Sequence, residues 1–300
     1  MAGDGLHSSL MRPVALIGVP FNSSGTKEGV ALASDALRSA GLAEALAARC
    51  ELSDMGDLQL PASVPERDPE TGIIDPEGLA ALVGAVDEAV DDALSAGRFP
   101  LLVGGDCPVL LGCMNAAARL VDEPGLLFVD GHEDAYAPHE SPTGEAADME
   151  LGFLLGSSVA PVATPVLSES QVAVLGARDG RLLRQQGQPS IRTRVHFRDD
   201  AELSTDPEAM TGAAVRALPR AFWLHLDLDV LSTEALPSVD YRQDGGIGWI
   251  DLTSVVRIGL GAAPIGWDVT IYNPELDPEG RDARRIVRFL AEAIGLLPGQ

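Results

Sequence analysis

The sequence is poor in basic residues, and this shortage excludes two classes of partner. Only 21 of the 300 residues are Lys or Arg, against 45 Asp or Glu, and the formal net charge is -24 at pH 7. Such a charge repels the phosphates of nucleic acids and the surface of anionic membranes. We therefore expect a small-molecule substrate and no binding to nucleic acid or membranes.

Cysteine and long apolar runs are also scarce. Three cysteines, Cys50, Cys107 and Cys113, are too few and too irregularly spaced for a disulfide framework, which is typical of a reducing compartment. No apolar run approaches the roughly 18 residues that a membrane-spanning helix needs. The amino terminus has neither the basic nor the apolar region of a secretion signal, so we expect a cytoplasmic protein.

Short apolar segments alternate with segments whose apolar residues recur every three or four positions. Several short segments are apolar at every position, which indicates strands covered on both faces by helices. The predicted strands are residues 13–20, 99–105, 125–131, 171–176, 194–197, 221–231 and 264–272. Asp75 before Pro76 indicates the start of one helix and Gly97 its end. The pattern predicts one α/β domain over residues 1–300, with a mostly parallel central sheet between two helix layers.

Two irregular segments, residues 54–74 and 232–248, interrupt this alternation and are rich in Pro, Gly and acidic residues. Loops of that length in a compact domain are often functional. Parallel sheets bind their ligands at the carboxyl ends of the strands. The polar residues that follow each predicted strand are therefore the candidate ligand-binding residues.

Two predicted strands end in acidic and imidazole side chains. In each strand three of these residues occupy alternate positions, so their side chains point to the same face of the extended segment. They are Asp130, His132 and Asp134 after GLLFV, and His225, Asp227 and Asp229 in AFWLHLDLDVL. Carboxylates this close repel one another unless a cation neutralises them, and this ligand set suits Mn²⁺ ahead of Zn²⁺ or Fe²⁺. An isolated Asp-x-Asp is more typical of a turn or a helix cap. The prediction of a metal site depends on both clusters occurring together with GGDC at a third strand end.

These three strand ends resemble the signatures of the ureohydrolase family, which comprises arginases, agmatinases, formiminoglutamases and guanidino-acid hydrolases. The family motifs GGDH, DAHxD and S-x-D-x-D correspond to GGDC, DGHED and HLDLD, in the same order along the chain. The resemblance extends to residues 18–42 and covers most of the sequence. It implies an arginase-like three-layer fold, a homo-oligomer (a trimer or hexamer) and two Mn²⁺ ions. The alternatives are that only one ion binds, or that Zn²⁺, Fe²⁺ or Ni²⁺ binds in place of Mn²⁺.

The resemblance also implies roles for individual residues. The implied metal ligands are Cys107, Asp130, His132, Asp134, Asp227 and Asp229. Asp130 and Asp227 would bridge the two ions, and Cys107 stands where the family has a histidine ligand. We expect Asp106 to orient its strand end and His225 to support a neighbouring ligand from behind.

Several positions depart from the family pattern. The family's proton-shuttling histidine falls at Ala147, so His139 on the same loop is the candidate to replace it as a catalytic residue, together with Asp134. The glutamate that holds the guanidinium falls at Ile271. A buried guanidinium without a carboxylate partner is strongly unfavourable, which argues against arginine as the substrate.

The candidate substrate-binding residues occupy two segments. The family's carboxylate-binding asparagines fall at Tyr136 and Glu145, while Thr143 is retained. The acids that bind the substrate ammonium fall at Arg181 and Arg184. Arginines there suit a substrate with an additional carboxylate or without the ammonium, although an exposed helix start on an acidic surface explains them nearly as well.

Three functions remain open at this stage. The first is metal-dependent hydrolysis of a linear C–N bond in a guanidino, amidine or formimino compound other than arginine. The second is a catalytically impaired, arginase-like binding or regulatory protein with a partial metal site, suggested by Ala147, Ile271 and Cys107. The third is deacetylase-like chemistry at one ion. A nucleophilic Cys107 ranks below these, because no neighbouring base is evident in the sequence.

Overall fold

In the computed structural model, which describes residues 12–298, eight strands form one sheet in which every neighbouring pair is parallel. The strands are β1 (Val14–Gly18), β2 (Leu52–Asp57), β3 (Phe99–Val103), β4 (Gly125–Val129), β5 (Val172–Gly176), β6 (His196–Asp199), β7 (Phe222–Asp227) and β8 (Trp267–Thr270). Their order across the sheet is β2-β1-β3-β8-β7-β4-β5-β6. The predicted α/β class with a parallel central sheet is confirmed.

Helices connect the strands and cover both faces of the sheet. The α-helices of the described residues are α1 (Ala33–Ser39), α2 (Leu42–Ala47), α3 (Pro76–Ser95), α4 (Val109–Leu120), α5 (Glu150–Leu154), α6 (Gly180–Gln186), α7 (Asp200–Leu203), α8 (Pro207–Ala217), α9 (Trp249–Gly261) and α10 (Arg281–Ile294). Successive strand residues enter opposite cores, as Leu16 and Ile17 do in β1. Burial on both faces explains why the inner strands are apolar at every position. Within residues 12–298, no helix is long and apolar enough to cross a membrane.

The helix α3 begins and ends where the sequence predicts. The Asp75 side chain accepts a hydrogen bond from the Gly78 N–H at 3.0 Å, which satisfies a free amide of the first turn. Gly97 has a φ of 71° and donates its N–H to the Leu94 carbonyl at 2.9 Å. This left-handed glycine satisfies a carbonyl of the last turn.

Three features of the fold differ from the sequence-based expectation. The strand β2 is not predicted, because it lies at the sheet edge and its half-buried or exposed residues lack the apolar pattern of the inner strands. The segment after β1, in which apolar residues recur every three or four positions, forms two helices, α1 and α2, because Gly41 between them has a φ of 93°. The short helices α5, α6 and α7 are also missed, since so few turns carry little periodicity.

The glycine pair of GGDC determines how the chain leaves β3. Gly104 and Gly105 have φ values of 85° and 70°, a region that side chains disfavour. A Cβ at Gly104 would lie 2.7 Å from the Ser34 nitrogen, and one at Gly105 would lie 2.5 Å from the Val19 carbonyl oxygen. Only glycine fits both positions, and the turn that results brings Asp106 and Cys107 to the carboxyl edge of the sheet.

Candidate metal centre

A cavity of about 750 Å³ lies at the carboxyl ends of the central strands. The polar residues lining it from the ends of β3, β4 and β7 are Asp106, Cys107, His132, Asp134, Asp227 and Asp229. Loop residues, including Val239 to Gln243, form part of its wall. The irregular segment 232–248 therefore borders the site, whereas none of the described residues of segment 54–74 lines the cavity.

One group of potential metal ligands lies beside this cavity. His132 Nδ1 lies 2.9 Å from Asp229 Oδ2 and 3.6 Å from Asp130 Oδ1. One ligand atom from each of the three residues lies within 4.8 Å of the others. Burial acts to raise the pKa of the Asp130 carboxyl, but the neighbouring imidazoles of His132 and His225 lower it below its usual range. We call Asp130, His132 and Asp229 the outer group.

Cys107 and Asp227 contact each other directly. The Cys107 thiol donates to Asp227 Oδ2 at 3.0 Å, and its sulfur lies 3.1 Å from the hydroxyl oxygen of Thr270. Burial, followed by the charges of Asp229 and Asp130, raises the pKa of Asp227 well above its usual value. Burial and the charge of Asp227 also raise the pKa of the Cys107 thiol. The thiol therefore keeps its proton in this arrangement.

A second group of potential ligands lies deeper in the protein. It consists of Cys107, Asp130, Glu150 and His225, each no more than 1% exposed, with one ligand atom of each within 4.8 Å of the others. We call these four residues the inner group. Asp134 and Asp227 line the cavity but belong to neither group.

The residues present fit a divalent cation. Asp130 Oδ2, His225 Nε2 and both carboxylate oxygens of Glu150 are buried and have no hydrogen-bond partner within the described part of the chain. A buried carboxylate without a partner is strongly unfavourable unless a cation or a proton neutralises it. Carboxylates, imidazoles and one thiol form a donor set that borderline divalent ions accept.

Sequence reasoning missed Glu150 and Asp268. Glu150 begins the helix α5 and is fully buried. Asp268 lies within β8, fully buried, and accepts a hydrogen bond from the indole nitrogen of Trp223 at 2.5 Å. Each is an acid inside an apolar segment, MELGFLL and GWDVTIY, and that contrast is a signal that could have identified both.

Most of the predicted site residues come together around the cavity, including the substrate-binding candidates Tyr136, Thr143 and Glu145. Asp106 accepts hydrogen bonds from the backbone N–H groups of Ser23 at 2.8 Å and Cys107 at 3.0 Å. It thereby ties the end of β3 to the loop after β1.

Five predicted site residues do not line the cavity: Asp130 and His225 are fully buried, and three others are exposed. His139 lies exposed on the outer side of its loop, and Arg181 and Arg184 are exposed on α6. In α6 it is Leu182 that lines the cavity, since the helix directs the two arginines elsewhere. The geometry therefore gives no support to proton transfer by His139 or to carboxylate binding by the two arginines.

The loop over the cavity carries two acids that titrate near neutrality. Burial raises the pKa of Glu145 to about 7, and its carboxylate accepts a hydrogen bond from the Tyr241 hydroxyl at 2.9 Å. Burial also raises the pKa of Asp148 to about 6, although the hydroxyls of Ser141 and Thr143 donate to it at 2.7 and 2.8 Å. These hydrogen bonds hold the loop 141–148 in place beside the metal ligands.

The fold and this centre define an α/β protein with a carboxylate-rich group of potential metal ligands at the carboxyl edge of a parallel sheet. Comparison with known proteins gives the family. The sequence profile of the Arginase family matches residues 12–295, and the chain belongs to this family.

Individual relatives agree with this assignment. Arginase from Bacillus caldovelox is 27% identical over 300 aligned positions, which cover 95% of this chain and 99% of the relative. The crystal structure of arginase from Bacillus cereus matches with a TM-score of 0.80 at 23% identity, covering 95% of this chain and 99% of the other. Proclavaminate amidino hydrolase from Streptomyces clavuligerus matches with a TM-score of 0.70 at 17% identity, covering 95% and 91%.

Proposed function

We propose that the chain is a metal-dependent amidinohydrolase that hydrolyses a linear C–N bond in a guanidino, amidine or formimino compound other than arginine. The observation that carries this proposal is the outer group at the cavity, where His132 Nδ1 lies 2.9 Å from Asp229 Oδ2. Divalent ions, Mn²⁺ first among them, supply Lewis acidity when bound in such a site and make water nucleophilic near neutral pH.

The charge of the cavity supports a cationic substrate. Besides the metal ligands, the lining acids are Asp106, Glu145, Asp148, Asp179 and Asp240, and the only lining arginine or lysine of the described residues is Arg242. Guanidinium and amidinium groups are attracted to such a surplus of carboxylates. Arg181 and Arg184 lie outside this cavity and therefore give no reason to expect a carboxylate on the substrate.

Ile271 supports the exclusion of arginine as the preferred substrate. It lines the cavity at the position where the family resemblance places the guanidinium-binding glutamate. Its apolar side chain offers no bidentate acceptor for a guanidinium. A smaller amidine or formimino group depends less on such an acceptor.

Glu145 is the residue we propose to hold and move the proton. The family's histidine position is Ala147, which lines the cavity but carries no proton. Glu145 precedes it by two residues on the same loop and lines the same cavity, and burial raises its pKa to about 7. A group with that pKa gives a proton to a leaving amine efficiently near neutral pH.

The second candidate function is a binding or regulatory protein with a partial metal site. It is favoured by Cys107, which stands at a histidine position and donates its thiol hydrogen to Asp227. Assembly as a trimer or hexamer and a cytoplasmic location remain predictions under either function.

A substrate screen separates the two functions. Protein loaded with Mn²⁺, Ni²⁺, Fe²⁺ or Zn²⁺ is incubated with guanidino acids, agmatine, hydroxyguanidines, formiminoglutamate and arginine. Release of urea, formamide or ammonia is measured beside Asp229→Asn and the exposed control Asp122→Asn. For an amidinohydrolase, we expect turnover of a non-arginine compound in the unsubstituted protein and in Asp122→Asn, and no turnover in Asp229→Asn. Metal binding without turnover of any compound would favour the regulatory function.

A further inference from the structure

We infer that the inner group of Cys107, Asp130, Glu150 and His225 is itself a metal site, selective for Zn²⁺ or a similar borderline ion. This site lies beneath the cavity, and Glu150 and His225 are not among the metal ligands that the family resemblance implies. The inner group shares Asp130 with the outer group, so this inference rests on the proposed function. The test of the inner site measures metal binding rather than turnover. Failure of the inner site can therefore be distinguished from failure of the proposed function.

The unpaired donor atoms are the first evidence. Both carboxylate oxygens of Glu150, Asp130 Oδ2 and His225 Nε2 lack hydrogen-bond partners, and all three residues are fully buried. These atoms converge, because one ligand atom from each of the three and the Cys107 sulfur all lie within 4.8 Å of one another. A divalent ion gives every one of these atoms a partner, which a single shared proton does not.

The orientation of His225 is the second, independent observation. Its Nδ1 lies 2.5 Å from Asp268 Oδ2, and its ring stacks on Phe128 with the centroids 4.7 Å apart. Trp223 donates to the other oxygen of Asp268 at 2.5 Å, which fixes that carboxylate in turn. A histidine that ligates a metal typically donates its second ring N–H to a carboxylate in this way. The Nε2 of His225 faces Asp130 Oδ2 at 3.7 Å, where it can ligate an ion that displaces its proton.

Asp130 connects the inner group to the outer group. Its Oδ1 accepts the His132 backbone N–H at 2.7 Å and lies 3.6 Å from His132 Nδ1, while its Oδ2 faces His225. One carboxylate thus presents one oxygen to each group. Asp130 would therefore offer a ligand oxygen to an ion in either group.

The donor chemistry indicates which ion the inner group selects. When Cys107 gives up its proton to a bound ion, the inner group offers a thiolate, an imidazole and two carboxylates. Zn²⁺ binds each of these ligand types, and four is the number it prefers. The outer group has one imidazole, two carboxylates and access to the cavity, which suits Mn²⁺ better. We expect the inner site to keep its ion under conditions in which the outer ion exchanges.

Cobalt spectroscopy tests the proposal directly. Co²⁺ titrated into chelator-treated protein should produce a sulfur-to-cobalt charge-transfer absorption, because Cys107 is the ligand thiol. The band should be absent in Cys107→Ser and unchanged in Cys113→Ser, a matched control that removes the other fully buried cysteine. Glu150→Gln should weaken Zn²⁺ binding by about tenfold or more while circular dichroism shows a folded protein.

The outcomes are distinguishable. No charge-transfer band in the unsubstituted protein at saturating Co²⁺, or a band that persists in Cys107→Ser, would overturn the inner site. A band that persists in Asp229→Asn supports it, because that substitution removes only an outer ligand. Absence of turnover with the band intact would count against the proposed function and leave the inner site standing.

Discussion

At the scale of single residues, Glu145 is an acid on the cavity wall whose protonation is matched to neutral pH, and it lies on the same loop as Ala147. Its pKa is raised to about 7, first by burial and then by the charge of Asp106, while the hydrogen bond from Tyr241 acts to lower it. If protonated Glu145 supplies the proton to the leaving amine, kcat should fall as the pH rises through about 7.

Substitution of Glu145 tests this role. In Glu145→Gln, kcat at pH 6 should fall about a hundredfold, and the descending limb of the pH profile should disappear. Tyr241→Phe is the matched control: it removes the hydrogen bond that lowers the pKa of Glu145, so the limb should move to higher pH. An unchanged profile in both variants would exclude Glu145 from proton transfer.

Ile271 is the residue through which we expect the substrate to be selected. Ile271→Glu places a carboxylate on the cavity wall, where it can pair with a guanidinium, so kcat/KM for arginine should rise by about tenfold. The side chain introduced by Ile271→Gln has nearly the shape of glutamate but no charge, so this variant should not increase kcat/KM for arginine. Equal rates for the two variants would show that a carboxylate at this position does not hold the guanidinium.

At the scale of secondary-structure elements, Asp75 fixes the start of α3. Its carboxylate accepts from both the Gly78 and the Val64 N–H groups at 3.0 Å, and its φ of 49° lies in the left-handed region. Asp75→Ala removes both acceptors and should lower the free energy of unfolding by about 2 kcal/mol in urea denaturation. Asp75→Asn keeps an acceptor oxygen and tolerates the backbone conformation, so a loss as large as that of alanine would contradict this explanation.

Local sequence patterns predict some features of the secondary structure and the site, but not all. The GGDC turn, the alternating acids after β4 and in β7, and the caps of α3 are encoded by neighbouring residues, and all could be predicted. Glu150 and His225 meet Cys107 only through the fold, since their partners are distant in the sequence. The exposed positions of His139, Arg181 and Arg184 likewise depend on how a loop and a helix turn relative to the sheet, which motif spacing does not specify.

At the scale of the whole molecule, the surplus of buried acids makes stability depend on pH. Burial raises the folded-state pKa of Glu145 and Asp179 to about 7 and that of Asp148 to about 6. The folded protein therefore binds more protons than the unfolded chain between about pH 4 and pH 7, and these groups favour folding less as the pH rises through that window.

Thermal unfolding checks this dependence. The Tm of chelator-treated protein should fall between pH 5 and pH 8, because Glu145, Asp148 and Asp179 must give up their protons in buried surroundings. Saturating Mn²⁺ at pH 8 should restore the Tm, since ions that bind the folded state alone stabilise it. A Tm that rises from pH 5 to pH 8 without metal would contradict the assignment of these raised pKa values.

The central claim is that the outer group beside the cavity binds a metal ion on which hydrolysis depends. Its most direct test is the hydrolysis rate of the best guanidine or amidine substrate, measured as Mn²⁺ is titrated into chelator-treated protein. We expect no turnover without the ion, a saturable recovery as Mn²⁺ is added, and no recovery in Asp229→Asn. Turnover that does not depend on metal, or full recovery in Asp229→Asn, would contradict it.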